Sequence, residues 1–476
     1  MERGSAQQND STDISESAEP FVCETSNDVK NDPKPLMGRI KDMTVSSIAR
    51  SWKKYRNWWG NNQVFASLFT LFLAFVIVFL VCVVLTGGSA YNGLLSSDTS
   101  DIFMDHFNSV RRSAINPYAA YPYDVLYPPL IMLFYGTLYH YLIPYVDPAL
   151  TGRPLSLALR NSQLGMTSYF LIIAFTFIVL HIIYRKILKR TDLVAELLFL
   201  FIALSYPLLF AVDRGNSIIL AVVFSILFLM GYRSENKFIR YASYIALGIA
   251  AGIKLYPAIL GLLILREKRY KEMAICVTVV FALIAAPFLI TGGNVIVLFE
   301  TIMRHVERVT PSSIQVIQNI RTMSFYLFRD HLGISTGTTE TISLIILLVF
   351  TLLSFVVVIF AKNLKTWKII ALLSCNLAVG FGATATYMLI YIMIPVFFFL
   401  AAEKEMTKSN CFYLIFFVLV LAFFPAFSPT FTKYLIGSIK TIFVIIIAIA
   451  ILFEGLRDIY RTWRDRKRES RLPSAA

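Results

Sequence analysis

Apolar stretches recur along most of this chain, many of them roughly 17–25 residues long, enough to cross a hydrocarbon core of about 30 Å as a helix. No other feature restricts the fold as strongly. A backbone in lipid must satisfy its own hydrogen bonds, and the helix does so within one segment. Twelve runs can be marked, at 64–86, 166–185, 193–212, 215–232, 239–252, 255–265, 271–290, 340–361, 367–381, 385–402, 410–427 and 434–454. Composition agrees, with 57% of the 476 residues hydrophobic and 16% charged, against about a quarter charged in a soluble domain. The expected fold is all-α, a polytopic membrane protein of about 12 transmembrane helices with interfacial helices on the outer side.

The net charge of +14 raises the question of a nucleic-acid partner, and its placement answers it. Basic residues cluster at 39–56, 185–190, 233–240, 266–271, 362–368, 403–408 and 457–471, at run ends and in short loops. That pattern is topological: basic loops stay cytoplasmic and attract anionic lipid headgroups. Membrane lipids are the expected partners, and nucleic acid is not. The five cysteines are odd in number and mostly sit inside apolar runs, so they read as small core residues rather than a disulfide framework.

Residues 1–37 are polar and are expected to form a disordered cytoplasmic tail. Residues 38–62 alternate apolar and basic positions and carry Trp58-Trp59, as an amphipathic helix at the interface does. The transmembrane domain spans 63–455, and 456–476 form a basic cytoplasmic tail. Keeping every basic cluster inside requires an even number of crossings between clusters, and both termini then lie in the cytoplasm. The run 125–146 carries Pro128, Pro129 and Pro144, which disfavour one straight helix. A single crossing there would also push the 185–190 cluster outside, so it reads as a re-entrant or interfacial hairpin. The expected location is the plasma (inner) membrane.

This topology gathers the unusual polar residues on the outer side. Asp101 and Asp105 are four apart, on one helical face, after Ser97 or Ser100 as a cap. They read either as an acidic first turn or as a general base at the membrane edge. Tyr118, Tyr121, Tyr123 and Tyr127 are either interfacial anchors or a platform for a sugar ring or isoprenoid tail. Asp213-Arg214-Gly215-Asn216 joins two runs as a self-neutralising pair or, with Arg214 and Asn216 at a helix N-terminus, as an anion site. Lys254 lies in Gly252-Ile253-Lys254-Leu255-Tyr256-Pro257, at the break between two short runs. A lysine at membrane depth costs a few kcal/mol, so it either snorkels or binds a phosphate group. Arg304, His305, Arg308, Arg321, Arg329 and His331 fall in the long outer segment 291–339, where 294–308 and 314–328 have the spacing of interfacial helices. Phosphate loops, Gly-rich dinucleotide turns, His-Glu-x-x-His and Gly-x-Ser-x-Gly are all missing from the sequence.

The order Asp101, Pro117-Tyr118, Tyr127-Pro128-Pro129-Leu130, Asp213-Arg214-Gly215-Asn216, Gly252-Ile253-Lys254-Leu255-Tyr256-Pro257 resembles glycosyltransferase family 87 from about residue 64 to 454. The resemblance implies a GT-C fold and inverting transfer of a sugar, most often mannose, from a polyprenyl-phosphate carrier to a lipid- or glycan-linked acceptor outside the membrane. It implies Asp101 as general base with Asp105 second, and Lys254, Arg214 and Arg321 as partners of the donor phosphate. Asn216, Tyr127, Tyr256 and Tyr387 would contact substrate. No cofactor is expected beyond the lipid-linked sugar, and no metal, although Asp98, Asp101 and Asp105 have the chemistry to hold one. The chain departs from the family where a late outer loop usually carries Trp and His. Here it reads Gly382-Ala383-Thr384-Ala385-Thr386-Tyr387, with Tyr387 or Tyr391 as the substitute. The competing reading is a multi-pass transporter or lipid flippase for an anionic or glycosylated lipid, which predicts functional charges near the midplane and uptake without covalent transfer. A third is an assembly scaffold, in which Asp101 and Lys254 matter only to stability.

Overall fold

A computed structural model describes residue 53 and residues 56–88, 101–114, 118, 125–308, 319–380, 386–424 and 433–469. The expected tail 1–37, most of the interfacial helix 38–62, Ser97, Asp98, Ser100, Pro117, Tyr121, Tyr123, residues 382–385 and the end of the basic tail lie outside the described residues. The chain divides into two units, Met1–Trp58 and Trp59–Ala476. Everything below concerns the second.

Every regular element among the described residues is a helix. Five are long and apolar enough to cross a membrane: Gln63–Leu85, Gln163–Leu188, Tyr270–Thr291, Thr336–Phe360 and Leu435–Arg468. A sixth arises if Leu193–Ala203 and Tyr206–Arg214, bent by 49°, count as one span. Pro207 explains the bend, because it occupies the first turn of the second piece and cannot donate to the helix before it.

The difference from twelve has a physical cause. Several runs form helices of only 10–17 residues, among them Ile218–Gly231 and Lys408–Leu421. In Ile218–Gly231, ten of the 14 residues are buried by protein. In Tyr270–Ala285 only Cys276 is. Four of the five long helices thus present apolar side chains outward, as a lipid-facing wall must, whereas the short ones, and much of Leu435–Arg468, are apolar because they are the core. Hydropathy scores both alike.

Other boundaries also shift. The run 125–146 forms one helix, Pro129–Leu142, followed by a short turn at Ile143–Tyr145, rather than a hairpin. Pro128 and Pro129 initiate it instead of breaking it, since Pro suits the first helical position. At 1.5 Å per residue its 14 residues span about 21 Å. The last helix runs unbroken over Lys433–Glu469, so the basic tail expected from 456 begins inside it. Of the two expected interfacial helices, Val295–Arg308 forms, whereas in the second region Ile320–Phe325 continues as a widened turn over Tyr326–His331.

Three consecutive segments position the site. Ile218–Gly231 starts at Asn216 and ends near Arg233, and Lys237–Ile253 packs along it and returns to Lys254. The chain then breaks and leaves again through a tight turn, Tyr256–Gly261, and Leu262–Arg266. The expected pair of short helices flanking Lys254 is therefore present. Residues 216 and 254 share one end of this layer, and residues 233 and 266 share the other.

Candidate active site

Gly215 ends the helix Tyr206–Arg214 with φ at +69°, a conformation that favours glycine. Arg214 is therefore the last residue of one helix, and not at the N-terminus of the next as the anion-site alternative requires. Asn216 lies just ahead of the following helix, its Oδ1 accepting from the Ile218 N–H at 3.1 Å. A Cβ on Gly215 would stand 2.6 Å from the Phe103 carbonyl oxygen, so no larger residue allows this approach. The Phe103 N–H donates to the Asp213 carbonyl at 2.7 Å, locking the two loops together.

Phe103 itself has φ at +60° and caps the helix Met104–Arg112. Asp105 sits in the first turn of that helix, but Asp101 lies ahead of it. The two carboxylates are brought together by Arg214, not by helical spacing. Its Nη1 donates to Asp101 Oδ2 at 3.1 Å and its Nη2 to Asp105 Oδ1 at 2.7 Å. The Asn216 amide donates to the other Asp105 oxygen at 2.9 Å. Asp105 is the more enclosed carboxylate, with 18% of its side chain exposed against 40% for Asp101.

Lys254 terminates Lys237–Ile253 in an extended conformation. It is buried, and among the described residues its ammonium makes no hydrogen bond or ion pair. Its neighbour is the Tyr127 ring, with Nζ 3.9 Å from the centroid, a cation–π contact. Gly252 makes that approach possible, because a Cβ there would lie 2.6 Å from Leu130 Cδ2. The Tyr118 hydroxyl donates to the Tyr127 carbonyl and fixes the segment. Lys254, Tyr127, Tyr135 and Tyr387 all lie within electrostatic reach of Asp105. Tyr387 also stands against Asn216, and Tyr256 packs near Tyr391 with ring centroids 6.4 Å apart.

Seven of the nine nominated residues thus meet around Asp105, and Tyr256 stands one step further out, within electrostatic reach of Tyr127 and Tyr387. Arg321 is engaged elsewhere: it is buried and paired with Glu340 of the helix Thr336–Phe360. Three participants were missed. Arg153 reaches Asp101 at 3.4 Å, and Arg160 donates to the Ile102 carbonyl at 3.3 Å, both from the helix Gly152–Asn161. That helix carries apolar Leu155 and Leu159 on a buried stripe, and the same periodicity was readable in the sequence. The third, His106, is walled by the rings of Phe107, Tyr135 and Tyr169, at centroid distances of 4.9, 5.3 and 5.1 Å. Its Nε2 has no hydrogen-bond partner among the described residues, and burial pushes its pKa down from 6.5 to about 3. A lone histidine between acidic and aromatic residues gives no sign of this in sequence.

Arg214 thus clamps a carboxylate pair beside a buried ammonium and a group of tyrosines. The sequence model of Glycosyltransferase family 87 matches residues 149–390, just over half of the chain. The chain belongs to glycosyltransferase family 87. No curated protein and no solved structure matches it. The family 87 match includes Arg153, Arg214, Asn216, Lys254, Tyr256, Arg321 and Tyr387, and it begins after Asp101, Asp105 and Tyr127. Family 87 membership together with the long apolar helices makes this protein a membrane glycosyltransferase.

Proposed function

We propose that this protein transfers a sugar, mannose foremost, from a polyprenyl-phosphate carrier to a lipid- or glycan-linked acceptor on the extracytoplasmic side of the plasma membrane, with inversion at the anomeric carbon. The observation that carries this reading is Lys254, a buried ammonium that makes no ion pair among the described residues, set against Tyr127 and within electrostatic reach of Asp105. A buried charge in such surroundings costs a few kcal/mol, and a phosphate from the donor would offset that cost when bound. The tyrosines offer faces on which a sugar ring can pack.

In this scheme Asp101, the more open carboxylate, takes the proton from the acceptor hydroxyl. The acceptor oxygen forms its bond to the anomeric carbon as the bond from that carbon to the phosphate oxygen breaks on the opposite face. The polyprenyl phosphate leaves with the electron pair, its charge stabilised by Lys254. Asp105, held by Arg214 and Asn216, keeps the guanidinium oriented between the two carboxylates. Arg321 would act on the phosphate only by exchanging its Glu340 pairing for it. Positive-inside placement of the basic loops favours the outer side for this reaction.

The test is transfer by the purified full-length chain from radiolabelled polyprenyl-phosphate mannose into extracted envelope lipids and glycans. Label should appear in the acceptor fraction, and Asp101→Asn should lower the rate by about a hundredfold to ten-thousandfold. Wild-type rates in Asp101→Asn with loss in Asp105→Asn would reassign the base. Transfer from a sugar nucleotide but not from the lipid-linked sugar would overturn the donor.

A further inference from the structure

The layer that carries the site at one end carries a second concavity at the other. It has a volume of about 810 Å³ and lies among Arg233, Arg266, Lys268, Tyr270, Phe360, Lys362, Trp463 and Arg466. Ile218–Gly231 begins at the site and ends beside this cavity, and its 14 residues separate the two by about 21 Å. Nothing in the transfer chemistry uses it.

Its walls are the ends of two outward-facing apolar helices, one starting at Tyr270 and one ending at Phe360, and the stretch of Lys433–Glu469 around Trp463. The cavity is preassembled. Arg266 donates to the Val358 and Ala361 carbonyls, both at 2.6 Å, and so satisfies the open end of Thr336–Phe360. Arg233 is bound to Glu267 and reaches the Thr366 hydroxyl at 3.3 Å. Lys268, Lys362 and Arg466 make no side-chain hydrogen bond or ion pair among the described residues. Five cations thus face one carboxylate, Glu267. At the rim, Tyr270, Phe360 and Trp463 are 65%, 58% and 55% exposed. Large aromatic rings beside a charged recess belong at the depth of lipid headgroups.

We infer that this cavity is a binding site for the headgroup of an anionic phospholipid, whose acyl chains run along the outward apolar faces of Tyr270–Ala285 and Thr336–Phe360. The phosphate meets Lys268, Lys362 and Arg466, while Arg233 and Arg266 hold the frame. Basic recesses between membrane helices bind anionic headgroups through this charge arrangement. The aromatic rim and lipid-facing walls select a lipid over a free phosphate ion.

The test titrates the detergent-purified full chain with phosphatidylglycerol, with phosphatidylcholine as the uncharged control, and reads bound lipid by native mass spectrometry. Phosphatidylglycerol should be retained over phosphatidylcholine, and the triple variant K268Q/K362Q/R466Q should lower its apparent affinity about tenfold or more. A second triple variant, K186Q/K404Q/K408Q, removes the same charge from exposed positions elsewhere and should bind as wild type. Equal binding by the first variant, or equal loss in both, overturns the site. Displacement of the lipid by millimolar inorganic phosphate overturns the lipid assignment. Unchanged melting temperatures in both variants separate lost binding from lost folding.

Discussion

Arg214 donates to Asp105 at 2.7 Å while its other terminal nitrogen holds Asp101 at 3.1 Å, so one guanidinium sets the spacing of two carboxylates that the helix does not align. A planar fork with fixed donors can do this, and a lysine cannot. Arg214→Lys keeps the charge and loses the geometry. Transfer should fall at least about tenfold, and melting should drop by the equivalent of about 1–3 kcal/mol for a partly buried network. Full activity in Arg214→Lys would show that the clamp is dispensable.

Lys254→Met separates function from stability. It removes a buried ammonium that makes no ion pair among the described residues and keeps a side chain of similar length. The melting temperature should hold or rise, while the KM for the lipid-linked donor rises about tenfold or more, because a charge that binds phosphate is costly to the fold alone. Loss of stability with unchanged donor KM would make Lys254 a structural residue.

Gly215→Ala puts a Cβ 2.6 Å from a backbone oxygen, at φ +69°. Neither the contact nor the dihedral relaxes by a side-chain rotation. A loss of about 1–3 kcal/mol is expected, with transfer falling further because Phe103 carries Asp101 and Asp105. Gly333, also at positive φ but with open space around it, is the control: Gly333→Ala should cost less stability and leave transfer intact.

His106 gives the pH dependence. Its folded pKa of about 3 lies below the ordinary 6.5, so acid protonates the unfolded chain first. Stability should therefore be intact above pH 6.5 and decline as pH falls from there towards 3, by up to about 1.4 kcal/mol per pH unit. His106→Leu should flatten that part of the melting-temperature profile. An unchanged slope in the variant would assign the decline to other groups.

Much of the site was readable because its chemistry violates its surroundings. A lysine in Gly-Ile-Lys-Leu-Tyr-Pro, or Asp-Arg-Gly-Asn between apolar runs, has no inexpensive bland explanation, and both mark chain breaks that meet at Asp105. Arg153 and Arg160 were passed over because a basic residue on a short amphipathic helix is ordinary until its partner is known. Asp101 and Asp105 were paired for the wrong reason: the spacing of four suggested a shared face, but the left-handed Phe103 starts the helix between them. Backbone strain of that kind leaves no trace in a non-glycine residue. The expected hairpin fails because Pro128 and Pro129 start a helix rather than break one, and the excess of expected spans has a separate origin. Apolarity reports removal from water, and the helix Ile218–Gly231 is removed from it by protein.

Leu130 fills the space that Gly252 leaves empty, and that contact seats Tyr127 over Lys254 although more than a hundred residues separate the two segments. Among related chains these positions should vary as a pair, an enlarged residue at one tolerated only with a trimmed one at the other. Domain shuffling that imports one segment without the other would part the ring from its ammonium.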